Sequence, residues 1–326
     1  NTLILGEDTS DSGQTSINNG KLGGQLSLNS DIIINSEGTL LLDQNGAQAL
    51  SGKISGTGTI EKTGDGQLTV NNINNNFTGS WDIKNDTISG IAGALKGNIK
   101  TAKDTVVNFT DATGASEFTG NLTGQASLNK TGAGTSIIGE KATLAHTGGT
   151  NIKAGALQGD AGAFNGQINI DAGAKLVFDQ TKAGELNQNI KGQGTVGKIG
   201  TGVLNVNQIV NVANFEHKQG KLVVSQKGGL NLTGNLTIDS NATLDVHGKA
   251  NGAASINADT ANLADNSVIN LTTADNDSGV KYTLISTKNG ITANINSIKL
   301  SHNGPNINTD VTLDNFQIAD IGLTAD

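Results

Sequence analysis

The chain of 326 residues has no cysteine, no methionine and a single proline, and aromatic side chains make up 3% of it. A globular core of this length draws on Phe, Trp and Tyr, because each buries a large area. Their scarcity argues against such a core and favours a solenoid, whose core is one side-chain layer wide and is filled by Val, Ile, Leu and Ala. Arginine is also missing, so all 21 basic residues are lysines, and the net charge is −8. An acidic chain without arginine is poorly suited to nucleic acid, where phosphate contacts need clustered positive charge. No apolar run approaches the ~20 residues that span a bilayer. The sequence starts at Asn1 and holds no methionine, so it reads as a mature or trimmed fragment. The lack of a leader does not place it in the cytoplasm.

What is present is glycine, 45 residues of it, and an ordered apolar pattern that sets the chain apart from disordered sequences. Sliding the sequence along itself reveals a long internal repeat. GTGTIEKTGDG at Gly56 returns as GQASLNKTGAG at Gly124 and as GQGTVGKIGTG at Gly192, a constant step of 68. Lys62, Lys130 and Lys198 share that offset, as do Gly64, Gly132 and Gly200, and Gly66, Gly134 and Gly202. A second block alternates strictly: Ile168, Ile170, Ala172, Ala174, Leu176 and Phe178, returning as Leu236, Ile238, Ser240, Ala242, Leu244 and Val246. An earlier copy runs from Ile32 to Leu42, and the copy around Ile99, Val107 and Phe109 is out of frame by one residue, as a bulge or turn insertion would make it.

Alternation of period two predicts strands with one buried face. The Gly, Asn, Asp and Thr between them predict turns. The expected fold is therefore all-β, a parallel β-helix or β-solenoid. A repeat of 68 divides into three coils of about 22 or 23 residues, which predicts about 14–15 coils over the chain. Residues 1–262 form the expected β-helix with three-coil repeats. Residues 263–326 leave the frame and are expected to form a C-terminal cap, with a turn at Gly304–Pro305. Asn and Thr are expected to stack into polar ladders or to satisfy turn backbone.

The unit G-x-G-x-(I/V)-x-K-x-G-x-G-x-L-x-V, from Gly56 to Val70 and from Gly192 to Val206, resembles the passenger repeats of bacterial autotransporters. It is followed by Phe77–Thr78–Gly79 in one copy and by Phe215 in the other. The copy at Gly124 departs from it, with Ala126 for the second Gly and Ser136 for Leu. The resemblance covers roughly residues 24 to 250. The stretch Tyr282–Thr283–Leu284–Ile285 also looks like the last coils of such passengers, where an autochaperone-like segment sits. The resemblance implies a right-handed parallel β-helix, type V secretion, and display on a Gram-negative outer membrane. It also implies a C-terminal membrane β-barrel that this sequence does not contain. Passengers of this kind act mostly in adhesion, autoaggregation and biofilm formation, with virulence as the setting.

Candidate chemistry is sparse. Asp11–Ser12–Gly13 and Asp277–Ser278–Gly279 lack the Gly that precedes a serine-protease nucleophile, and they read as turns. His146, His217, His247 and His302 are scattered, with no partner that would make a triad. No histidine or cysteine cluster suggests a metal, and Asp275–Asn276–Asp277 has too few ligands for a calcium loop. The glycine-rich segments lack the helix and the Gly-Lys-Ser/Thr ending of a phosphate loop. The reading is accordingly no catalytic residue, no cofactor and no metal. For recognition, Trp81, the only tryptophan, is a possible anchor if exposed. Lys62, Lys130 and Lys198, spaced three coils apart, would form a row on one face, more simply a surface lysine that blunts aggregation.

The expected function is adhesion or self-association through a repetitive polar face, many weak contacts adding by multivalency. The expected partners are copies of the protein on neighbouring cells, or host surface and matrix molecules, and the expected location is the bacterial cell surface. Two alternatives stand beside it: a polysaccharide-active enzyme on a β-helix, which needs a carboxylate cluster in a groove, and a passive stalk for an upstream domain.

Overall fold

A computed structural model describes residues 2–5, 14–24, 29–43, 45–249, 253–273, 281–293, 299–303 and 323–324. The two Asp-Ser-Gly fragments, Asp275–Asn276–Asp277, Pro305 and the side chain of His302 lie outside the residues and side chains described. Strand accounts for 56% of the fold, and the one helical element among the described residues is a 3-10 turn at Ala161–Ala163. The strands stack in parallel into a β-solenoid of about 11 turns. Among the described residues the exception is the antiparallel two-residue pair of Lys281–Tyr282 with Leu323–Thr324.

The chain divides into two compact units, Asn1–Gly159 with Ala163–Gly166, and Asp160–Gly162 with Gln167–Asp326. In the first unit, inward residues of successive turns stack as Leu40, Ile60, Trp81, Ile99, Leu122 and Leu144. All of these are buried. In the second unit the equivalent stack is Leu176, Val196, Phe215, Leu236 and Ala261. The physics is that of period-two alternation: each inward side chain packs on its counterparts one turn below and one turn above, while the backbone pairs in register. Of the predicted inward residues, Ile168, Ile170, Ala174, Leu176, Phe178, Leu236, Ile238, Ala242, Leu244 and Val246 are buried, whereas Ala172 and Ser240 are exposed, because each falls in the turn between two strands, where the alternation lapses.

Two expectations are corrected. The first is the coil count, about 11 in place of 14–15. That count gave every residue to coils of one length. In the structure the turns vary: Val210 pairs with Leu230, whereas Ile256 pairs with Ile285, across a turn nearly half as long again.

The second is the relation of the repeat to the coil. Following the pairing from Lys62 through Ile83 and Thr101, the residue three turns on is Gly124, short of the repeat counterpart Lys130. Three turns on from Leu176 is Leu236, again short of the repeat counterpart Leu244. The repeat therefore spans three turns and one further side. In the first unit, Lys62 lies on a strand stacked with Ser80–Ile83, and Lys130 on one stacked with Val106–Phe109, a different sheet. The sides of the coil are chemically alike, each burying alternate residues, so a repeat can return on the next side without penalty.

Beyond Leu263 the described strands Val268–Thr272, Ile285–Thr287, Ile291–Ala293 and Lys299–Asn303 continue to stack in parallel on the strands before them. The proposed cap of 263–326 otherwise lies largely outside the described residues.

Candidate functional site

The repeated lysines are not at the surface. Lys62, Lys130 and Lys198 are each 0% exposed and point into the coil. Each ammonium reaches the carbonyl of the glycine two residues on: Gly64 at 2.7 Å, Gly132, and Gly200 at 2.6 Å. Each also reaches a carbonyl in the arc of a later turn: Asn85 at 2.8 Å, Ala154 at 3.3 Å and Gln219 at 2.7 Å. Lys198 adds Gly202 at 2.7 Å. An ammonium has three N–H donors and no acceptor, so it suits a cluster of arc carbonyls. The K-x-G motif is thus a brace that ties one arc to the next. Burial pushes all three lysines below the usual lysine range, against the pull of nearby carboxylates, and Lys198 falls to about 8. The expected row of surface lysines is corrected on two counts, burial and placement on different sides.

Trp81 is 0% exposed as well. Its ring fills the aliphatic stack between Ile60 and Ile99, with Phe77 edge-on at 5.8 Å. Its Nε1–H donates to the Lys96 carbonyl at 2.7 Å, which satisfies the one polar atom of the buried indole. It cannot serve as an exposed anchor.

The two histidines His146 and His217 are core residues too. His146 is buried beside the Gly149 carbonyl and the Thr150 hydroxyl, each 3.2 Å from Nε2. His217 stacks directly on Lys198 and donates from Nε2 to the Thr243 carbonyl at 2.8 Å. Burial, reinforced by the Lys198 charge, lowers His217 to about 4 against the pull of its backbone hydrogen bonds.

The departure of Ser136 from the repeat has a local cause. Asp111, 2% exposed, accepts hydrogen bonds from the Ser136 and Ser116 hydroxyls and from the Ala92 amide. The Ser116 oxygen in turn accepts from the Gly93 amide at 2.8 Å. A leucine at position 136, as in the copies at Leu68 and Leu204, would leave this buried carboxylate short of a donor. No histidine joins the cluster, because the one histidine of that unit, His146, bonds elsewhere. It is a satisfied polar knot rather than a nucleophile and base. Among the described residues, no three His, Asp or Glu side chains gather as a metal site would require.

What does face outward in repeated form is asparagine. In the first unit, Asn129 Nδ2 donates to Asn108 Oδ1 and Asn151 Nδ2 to Asn129 Oδ1, both at 3.1 Å, and Asn108 donates to Ser89 Oγ at 3.0 Å. In the second unit, Asn231 donates to Asn211 and Asn257 to Asn231, again both at 3.1 Å. The expected polar ladders therefore exist, one amide per turn, held by paired strands in register. An amide carries two N–H donors and a two-lone-pair oxygen, so a middle rung such as Asn129 or Asn231, which spends one of each on its neighbours, keeps one donor and one acceptor site for solvent or a partner. The ladder positions Asn211, Asn231 and Asn257 are exposed. The structure thus defines a parallel β-solenoid with inward lysine braces and outward amide rows. No family model matches the chain, and no curated protein matches it.

Proposed function

We propose that this chain is the passenger of an autotransporter, displayed at a bacterial surface, where it acts in adhesion and self-association through its outward amide rows. The observation that carries the reading is the pair of asparagine ladders, which present the same hydrogen-bonding valence once per turn. Such valence is weak at one rung and adds up over many. The buried state of Trp81, the repeat lysines, His146 and His217 removes the residues from which a single strong site would be built. The resemblance of the Gly56 and Gly192 units to passenger repeats supports the secretion route and the surface location. Copies of the same chain, or host surface molecules, are the partners. The test is to coat latex beads with the purified chain and to follow clumping and attachment to cell monolayers. Clumping or attachment above bare beads is expected. Beads that neither clump nor attach overturn the proposal.

A further inference from the structure

The amide ladder of the second unit runs beside a groove. The groove has a volume of about 420 Å³ and follows the ends of the strands Asn189–Gly192, Ile209–Val212, Gly229–Leu232, Ile256–Ala258 and Ile285–Thr287. These strands pair in order, so the groove rises along their stacking direction at about 4.8 Å per step. Asn211, Asn231 and Asn257 form one wall, and Val212, Leu232 and Ala258 line the groove beside them. Gln193 and Thr233 add an amide and a hydroxyl. The one ionisable side chain in the lining is Lys288, near the end of the run.

We propose that this groove binds a linear, uncharged polysaccharide lying along the stacking direction. Two features select that ligand. The wall offers alternating donor and acceptor capacity at a constant rise, which matches a polymer of hydroxyl-bearing units rather than a single small molecule. The lining carries no carboxylate and one lysine, so it supplies neither the cation row that an acidic polymer needs nor the carboxylates that a basic one needs. The inference deepens the adhesive reading by naming a partner for one of its amide faces, and it is separable from self-association.

The test titrates the purified chain with neutral β-linked gluco-, xylo- and chito-hexasaccharides and with a polygalacturonate oligomer, by calorimetry and ligand-observed NMR. Binding of at least one neutral hexasaccharide is expected. Asn231→Leu should weaken it at least tenfold, and so should Thr233→Val, an exposed rim change that spares the ladder. Asn129→Leu removes the same kind of rung from the first unit, where it lines no part of this groove, and should leave binding within twofold. Binding of none of the neutral oligomers, binding of polygalacturonate alone, or equal loss with Asn129→Leu overturns the inference. Bead clumping that persists when no sugar binds rejects the groove as a glycan site while leaving the adhesive function in place.

Discussion

The buried lysines act at the scale of the single residue. An ammonium placed among the Gly200, Gly202 and Gln219 carbonyls donates to all three, and of these Gly202 also takes a backbone amide, from Lys221 at 3.2 Å. Lys198→Met keeps the stem and removes the donors. The expected cost is about 2–4 kcal/mol, the range for stranding buried polar groups, read as a lower urea midpoint. Lys153→Met at an exposed position should change stability by less than about 0.5 kcal/mol. His217, one turn above Lys198, gives a pH signature. Its folded value, about 4, lies below the ordinary 6.5. Between these two values the unfolded chain holds a proton that the folded chain does not, so stability falls as the pH drops from 6.5 to 4. The loss attributable to this residue is on the order of 3 kcal/mol. His217→Gln retains an N–H for the Thr243 carbonyl and does not titrate. Urea unfolding at pH 7 and pH 4 should therefore show a smaller acid loss in the variant, and an equal loss would exclude His217 as the source.

At the scale of the element, the recurrent glycines show what the arcs demand. Gly56, Gly124 and Gly192 all have positive φ, and a Cβ on any of them would meet the carbonyl oxygen of Ile34, Thr101 or Ile170 at 2.1, 2.0 and 2.0 Å. The arc needs both left-handed backbone and close approach to a backbone carbonyl of an earlier turn. Gly192→Ala should cost about 2 kcal/mol or more, measured by thermal or urea unfolding; a neutral change would show that the arc can shift. The alternation that marks these elements was legible in the sequence, and it carried more than hydrophobicity: Ile60, Lys62, Gly64, Gly66, Leu68 and Val70 share one parity, and all are buried. Parity thus placed Lys62 inside, but the general rule that lysine is exposed argued the opposite. The rule fails here because the arc carbonyls supply what water would. Trp81 shares the parity of Ile83 in the same way. The ladder of asparagines was foreseeable as a type but not by rung, because which turns stack on which depends on arc lengths that composition does not reveal. The same uncertainty turned three turns and a side into three turns.

At the scale of the molecule, the proposed adhesive surface is made of uncharged amides. Contacts built on such rows should be insensitive to screening. Bead clumping at about 0.05 and about 0.5 M ionic strength should differ by less than about twofold, whereas a contact between charged patches would weaken steeply over that range. Each turn adds its own strand pairing and stacked side chains, so the stability of each unit grows by increments. The extra side in every repeat bears on how such a chain can change. A genetic exchange that gains or drops one copy of the repeat inserts or removes three turns and a side, and the following strands then emerge on the neighbouring side of the coil. Within a unit the hydrophobic interior would survive, because its sides are interchangeable, but whatever motif lay downstream would be presented in a new direction. Unequal crossing-over in this gene would thus act as a rotation of its displayed surface, a way to vary what is shown without redesigning what is buried.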